Sequence, residues 1–392
     1  MMAQRFISTL LAVVWATTLT ASAASRTEGG RPEVTVVRVP EGGIQPQVAV
    51  DRKGVLHLLY LKGDPGSADI YYVHKALAAA EFSEPIRVNS EPGSAIAIGS
   101  VRGPQLATGR NGRVSVAWIG AHSEGPKKAL PMLYARLNDA KTGFEPERNV
   151  MQFATGLDGG SSIAADDFGN VYVTWHANPE SNGEAHRRVW VARSNDDGKT
   201  FAREIPADPP MEGKATGVCG CCGMRALTDE QGTLYVLYRA ATDQIHRDMI
   251  LLMSQDHGEH FVASRVAEWE LNACPMSTDF ISRTGTGILI SWETSGQVFY
   301  AKVAPGSDRL AQVTSASGPA GDRKHPVVVS NSRGETLLAW TDGTGWQRGG
   351  TVAWELFDKT GRRLSQETSP GLPVWDLVAV SVGRSSEFNI IY

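Results

Sequence analysis

Residues 104–118 read PQLATGRNGRVSVAW. Apolar residues alternate with polar ones, a polar turn carries Gly112, alternation resumes, and Trp118 closes the stretch. Alternation on both sides of a glycine-containing turn is the signature of a β-hairpin. The same text recurs as PQVAVDRKGVLHLLY (46–60), SSIAADDFGNVYVTW (161–175), MRALTDEQGTLYVLY (224–238) and HPVVVSNSRGETLLAW (325–340). A looser copy, STDFISRTGTGILISW, spans 277–292, and the final residues 378–392, VAVSVGRSSEFNIIY, read as one more. In the clear copies Gly54, Gly112, Gly169, Gly232 and Gly334 each lie six residues before the closing aromatic. A fixed offset means one structural unit used repeatedly.

Each of the first six hairpins is followed by a further alternating segment, such as DIYYVHKA (69–76) or RRVWVARS (187–194), and then by a shorter strand-like one. The unit is therefore four strands, repeated roughly every 48–63 residues, near the range of propeller blades. The expectation is an all-β protein, a β-propeller of four-stranded blades. It has six complete repeats plus a closing hairpin. A leading strand, EVTVVRV (33–39), reads as the fourth strand of a unit. Six blades result if the hairpin stands alone, and seven if it shares a blade with that strand.

The N-terminus carries Arg5, an apolar run from Phe6 to Leu19, and Ala21-Ser22-Ala23. A charged start, an apolar middle and an A-x-A site read as a signal peptide over 1–23. The run is shorter than the ~20 residues a membrane span needs. The expectation is a single propeller domain over 24–392, secreted or periplasmic, with no stable membrane insertion. A formal net charge of −4 without a basic stripe argues against nucleic acid as a partner.

Two turns, SNDDGKTF (194–201) and SQDHGEHF (254–261), share the pattern S-x-D-x-G-x-x-F at the same place in their units. Asp caps nearby N–H groups, Gly takes a left-handed angle and the aromatic packs beneath. These turns resemble the Asp-box, or BNR, repeats of the sialidase (neuraminidase) superfamily. The resemblance implies a propeller whose site surrounds the central channel. It lies on the face that holds the crossovers into each first strand and the loops after each second strand. It also implies a glycan-directed function, as an exo-sialidase-type glycoside hydrolase or a glycan binder.

On that face the sequence places Arg102, Arg323 and His325 before first strands, and His176, Arg239, Glu293 and Asp342 after second strands. A sialidase clamps its substrate's carboxylate with arginines, because guanidinium pairs with carboxylate bidentately. Arg102, Arg225, Arg239 and Arg323 could supply such a clamp. Glu293 and Asp342 are the acid or base candidates, and Asp279 lies close by. His176, Arg323 and His325 are binding candidates. Trp269, Trp346 and Trp375 are candidate sugar-stacking aromatics.

The same face holds all four cysteines. GVCGCCGMR (217–225) enters the fourth unit with Cys219, Cys221 and Cys222, and NACPM (272–276) enters the fifth with Cys274. Neighbouring blades would gather the four thiols at one side of the channel mouth. Three readings stand open. An exported chain with an even cysteine count favours disulfides, Cys274 pairing with one of the trio. Soft thiolates, with Met224 and Met276 two residues beyond cysteines, fit copper(I) or another thiophilic metal. A reactive or redox thiol is the third. The CGCC and NACPMS segments also resemble a subset of bacterial sialidase-like proteins. A partner-binding scaffold without catalysis is the remaining alternative, since propellers host many functions.

Overall fold

The computed structural model describes residues 32–123 and 129–392; the expected signal peptide lies outside these residues. Six antiparallel four-stranded sheets follow one another along the chain. Blade 1 is built from Ile44–Val50, Val55–Asp64, Ser67–Ala76 and Ile86–Arg87. Blade 2 uses Gln105–Thr108, Val114–Ile119, Met132–Arg136 and Arg148–Asn149, and blade 3 Leu157–Ala165, Val171–Ala177, Arg188–Ser194 and Ile205–Pro206. Blade 4 uses Met224–Thr228, Leu234–Arg239, Met249–Ser254 and Val262–Ala267. Blade 5 uses Phe280–Thr284, Gly287–Thr294, Gln297–Val303 and Thr314–Ser315, and blade 6 Arg323–Ser330, Thr336–Asp342, Gly350–Phe357 and Arg363–Leu372. Each first strand lies against the next blade's first strand, and the seventh blade's lies against the first blade's. The ring is closed and has seven blades.

The seventh blade has three strands, Ala379–Val382, Phe388–Ile391 and the N-terminal Val34–Val37. The N-terminal strand shares the blade with the terminal hairpin, as the seven-blade reading required. Its place differs from the expected fourth position. It bonds directly to the second strand, in parallel, with Val34 opposite Phe388 and Val37 opposite Ile391. The cause is direction. The strand must deliver the chain to the face where blade 1 begins, so it runs as a fourth strand runs. With no third strand between, it pairs with the second, which runs the same way. The chain ends lock there: Val39 N donates to Tyr392 O at 2.9 Å, and Tyr392 N to Val37 O at 3.1 Å.

The repeat's residues explain the unit. Asp51, Asp166 and Asp229 each accept the backbone N–H groups two and four residues on, and Asn331 does the same. The glycine of each such turn sits at positive φ, between 70° and 95°. This is the left-handed region that only glycine enters freely. The blade aromatics Tyr60, Trp118, Trp175, Tyr238, Trp292, Trp340 and Tyr392 are all buried. They belong to apolar layers, one between each pair of adjacent blades. The two S-x-D-x-G turns form identical bonds. Gly198 N donates to Ser194 Oγ and Thr200 N to Asp196 Oδ1, while Gly258 and His260 do likewise to Ser254 and Asp256.

The closing blade should carry a large share of the ring's stability. Phe388 is fully buried between blades 6 and 7. Phe388→Ala should cost about 3–5 kcal/mol, measured by urea denaturation, and the m-value should stay unchanged if the ring unfolds as one unit.

Candidate functional site

The seven first strands enclose a channel with a space of about 360 Å³. At its mouth each chain segment must turn sharply from an outer crossover into the axis. Three blades do so with a β-bulge, between Ile44 and Gln47, Leu157 and Ser161, and Lys324 and Val327. The residues inside those bulges have positive φ: Gln45 at 55°, Gly159 at 79° and His325 at 54°. Ser100, Met276 and Trp375, which enter blades 2, 5 and 7, share that conformation at 59°, 50° and 66°. Left-handed backbone at bulky residues is uncommon and costs energy. It concentrates at this one rim, and bulges next to sites re-aim side chains.

The CGCC loop sits at the rim between blades 3 and 4. Cys219 Sγ lies 3.4 Å from Cys221 Sγ and 3.3 Å from Cys222 Sγ. Cys219 and Cys222 are buried and Cys221 is half-buried. The loop is pinned on all sides. Cys219 N donates to Arg239 O, Gly220 N to Glu184 Oε1, Cys222 N to Cys219 O and Gly223 N to Ser277 O. Glu184 also holds Arg247 at 2.7 Å and lies 3.6 Å from Arg187. Sulfur contacts with Cys221 and Cys222, with Arg247 facing it, hold the Cys219 thiol well below the usual range. The same bonding raises Cys221, and burial pushes Cys222 up to about 12.

Blade 3 makes room for this loop through glycine. A Cβ on Gly159 would stand 2.0 Å from Gly220 O and 2.8 Å from the His176 ring. One on Gly160 would meet Met224 N and Cys222 O within 2.8 Å. His176 is fully buried, and its Nε2 accepts the Gly160 N–H at 2.8 Å. Burial keeps it neutral, down to about 3. It props the blade 3 bulge beneath the thiol loop.

Cys274 stands apart from the trio. It enters blade 5 on the same rim, three residues from the Ser277 that binds Gly223, but it is exposed. The three clustered thiols include only Cys219, Cys221 and Cys222. The expected gathering of four sulfurs is therefore a gathering of three, because the Cys274 stretch bends outward before Pro275. Met224 packs into the core between blades 3 and 4, and Met276 lines a different cleft.

The charged candidates do not form one open clamp. Arg239 and Glu293 are both buried; the guanidinium binds the carbonyls of Arg247 and Glu293 and stacks 4.9 Å over Trp269. Glu293 Oε1 accepts Gly296 N–H, and burial raises its carboxyl above the usual range. Arg225 reaches across the channel to Gln47 and Gln105. Burial lowers it to about 10, and burial likewise holds the adjacent Asp279 well above the ordinary range. Arg102 pairs with Asp158 at 2.7 Å. Arg323 binds Gln297 and the Ser317 carbonyl, opposite Asp342 in the blade 6 register. His325 is buried, held neutral by burial at about 3, and its Nδ1 lies 3.2 Å from Thr278 Oγ1.

Two aromatic candidates do meet. Trp346 and Trp375 pack edge to face at 4.6 Å, and Trp346 is 57% exposed. Beside them is a cleft of about 20 Å³ lined by Gly99, Lys324, His325, Arg348, Trp375 and Asp376. Asp376 Oδ1 accepts the Gln45 and Leu377 N–H groups; Oδ2 is buried without a partner. Burial raises this carboxyl to about 7. Asp376, Glu184, Arg187 and Arg247 carried no signal beyond their place on the rim. Within CGCC, the Cys219–Cys222 pair has C-x-x-C spacing.

No family model and no curated protein sequence matches the chain. Solved structures do. A protein of unknown function from Dyadobacter fermentans DSM 18053 aligns with TM-score 0.55 and 12% identity over 87% of this chain and 98% of its own. The α-L-arabinanase of Penicillium chrysogenum aligns with TM-score 0.52 and 13% identity over 82% and 95%. The Hadza microbial sialidase Hz136 reaches TM-score 0.47 and 15% identity over 84% and 74%. At such identities the first two alignments show a shared fold and nothing finer.

Two tests follow from the rim's geometry. Gly159→Ala should push the thiol loop off blade 3. Cys219 and Cys222 should then react in the native protein with a thiol reagent that leaves them untouched in the wild type. Gly213→Ala, with equally positive φ and open space around it, should leave them protected. For Asp376, the unfolded chain releases its proton near pH 4 and the folded chain near 7, so stability falls as pH rises between the two. Asp376→Asn, which can keep Oδ1 as acceptor, should raise Tm at pH 8 and leave it unchanged at pH 4.

Proposed function

We propose that this chain is an exported, glycan-directed propeller that binds a saccharide on the rim beside Trp346 and Trp375. The observation that carries the reading is an exposed indole standing at right angles to a second one, next to a hydroxyl-sized notch with an unpartnered carboxyl oxygen. A pyranose ring offers an apolar C–H face for the indole and hydroxyls for hydrogen bonds. A notch of about 20 Å³ admits one such hydroxyl, and Asp376 can bond to it. Lys324 and Arg348 line the notch as further polar groups.

Binding is the better-supported half of the glycan reading. Sialidase-type hydrolysis requires free guanidiniums converging on one carboxylate, and here Arg102, Arg225, Arg239 and Arg323 are each engaged elsewhere. Export is the reading of residues 1–23. Among the described residues no helix is long and apolar enough to cross a membrane.

The test is a glycan array followed by calorimetry on the best ligand. Wild type should bind, and Trp346→Ala should lose binding while keeping its fold. Unchanged binding by that variant, or no binding by the wild type, contradicts the proposal. Turnover of a fluorogenic sialoside would overturn the preference for binding over hydrolysis.

A further inference from the structure

We propose that Cys219, Cys221 and Cys222 form a binding site for one copper(I) ion, independent of the saccharide site. Three sulfur donors lie within 4.8 Å of one another, two of the separations being 3.3 and 3.4 Å. Among the described residues no histidine or carboxylate joins this group. The donor set is thus soft and three-fold. Zinc in structural sites takes four ligands. An all-thiolate set selects thiophilic ions, copper(I) foremost.

The size is right. An ion about 2.3 Å from each thiolate needs sulfurs about 4 Å apart when it lies in their plane, and less when it lies above. For an in-plane ion the Cys219–Cys221 and Cys219–Cys222 separations must each open by about 0.6–0.7 Å, and by less for an ion above the plane. Half-buried Cys221 can move by rotation, and Cys219 and Cys222 by small side-chain shifts. The rest of the loop is already fixed. Gly159 and Gly160 press it from blade 3, Glu184 holds Gly220, and Ser277 holds Gly223. Such preorganisation leaves little ordering cost for the ion to offset.

The charge is right as well. Three thiolates around a monovalent ion leave two negative charges in a largely buried place. Arg247 is the principal cation facing Cys219, and Arg239 the one facing Cys222. A Cβ on Gly220 would touch Arg187 Nη1 at 2.2 Å, so a third guanidinium lies over the loop. Arg187 Nε and Nη1 are buried without hydrogen-bond partners. Glu184 lies beside both Arg187 and Arg247 and accepts the loop's Gly220 N–H, so one carboxylate braces the loop and the cations over its sulfurs. Binding displaces the thiol protons to solvent while each sulfur keeps its electron pair, and no electron moves.

The experiment uses the full chain, reduced and kept anaerobic, titrated with copper(I) against a chromophoric copper(I) chelator. One ion per chain should be retained. X-ray absorption should show a sulfur-only shell. Cys219→Ser, Cys221→Ser and Cys222→Ser should each weaken retention at least ~10-fold, while Cys274→Ser retains copper as the wild type does. Cys221→Ser, altering the most accessible member, guards against misfolding, checked by near-ultraviolet circular dichroism. Failure of the reduced wild type to hold copper, or full retention by Cys221→Ser and Cys219→Ser, overturns the site. Tighter binding of zinc(II) than copper(I) overturns the ion. Trp346→Ala should hold copper normally and Cys221→Ser should bind saccharide normally, so the two proposals fail separately.

Discussion

Seven first strands must stand around one axis, and that single constraint organises everything on the functional rim. A strand arriving from an outer crossover has only a few residues in which to turn toward the channel. Six of the seven entries make that turn with a bulge or a left-handed residue, including bulky ones such as His325 and Trp375. The energy stored there is offset by the apolar layers between blades. Each entry side chain is consequently held in one direction. Arg225 spans the channel to two glutamines, Asp376 is wedged under Gln45, and the CGCC loop is folded onto glycines of the preceding blade.

The hairpins were legible because their cause is local. A glycine at a fixed distance from an aromatic needs only the chain's own neighbours to form its turn, and all five of these glycines sit at positive φ. The face of each candidate residue was legible too, since strand direction alternates within a blade. Radial position was not. Whether Arg239 points to solvent or into the core depends on the carbonyls of Arg247 and Glu293, and no sequence pattern announces that. The same limit applies to Cys274, whose neighbours in sequence resemble those of a buried entry residue until the chain bends outward. The N-terminal strand shows the converse. Its blade could be argued from topology, but its pairing followed from which strand was missing.

The rim therefore holds two unlike surfaces. Between blades 3 and 4 lie thiols ringed by guanidiniums, with Glu184 bridging two of them. Near blades 6, 7 and 1 lie exposed indole, a strained tryptophan and a buried carboxyl. Lys324, Thr278 and Gly223 connect the two physically: Lys324 Nζ donates to Pro275 O, and Thr278 touches both His325 and the space beside Gly223. A scaffold rigid enough to hold strained entries is suited to hosting both without either reshaping the other.

Everything said of the thiols rests on three sulfurs making a closed group from which the fourth is excluded by the bend before Pro275. Peptide mapping under non-reducing conditions, with free thiols alkylated at the moment of cell disruption, addresses this directly. The account predicts Cys274 as a separately alkylated residue, never joined to the 218–223 segment. A covalent link between Cys274 and any member of the trio would contradict it.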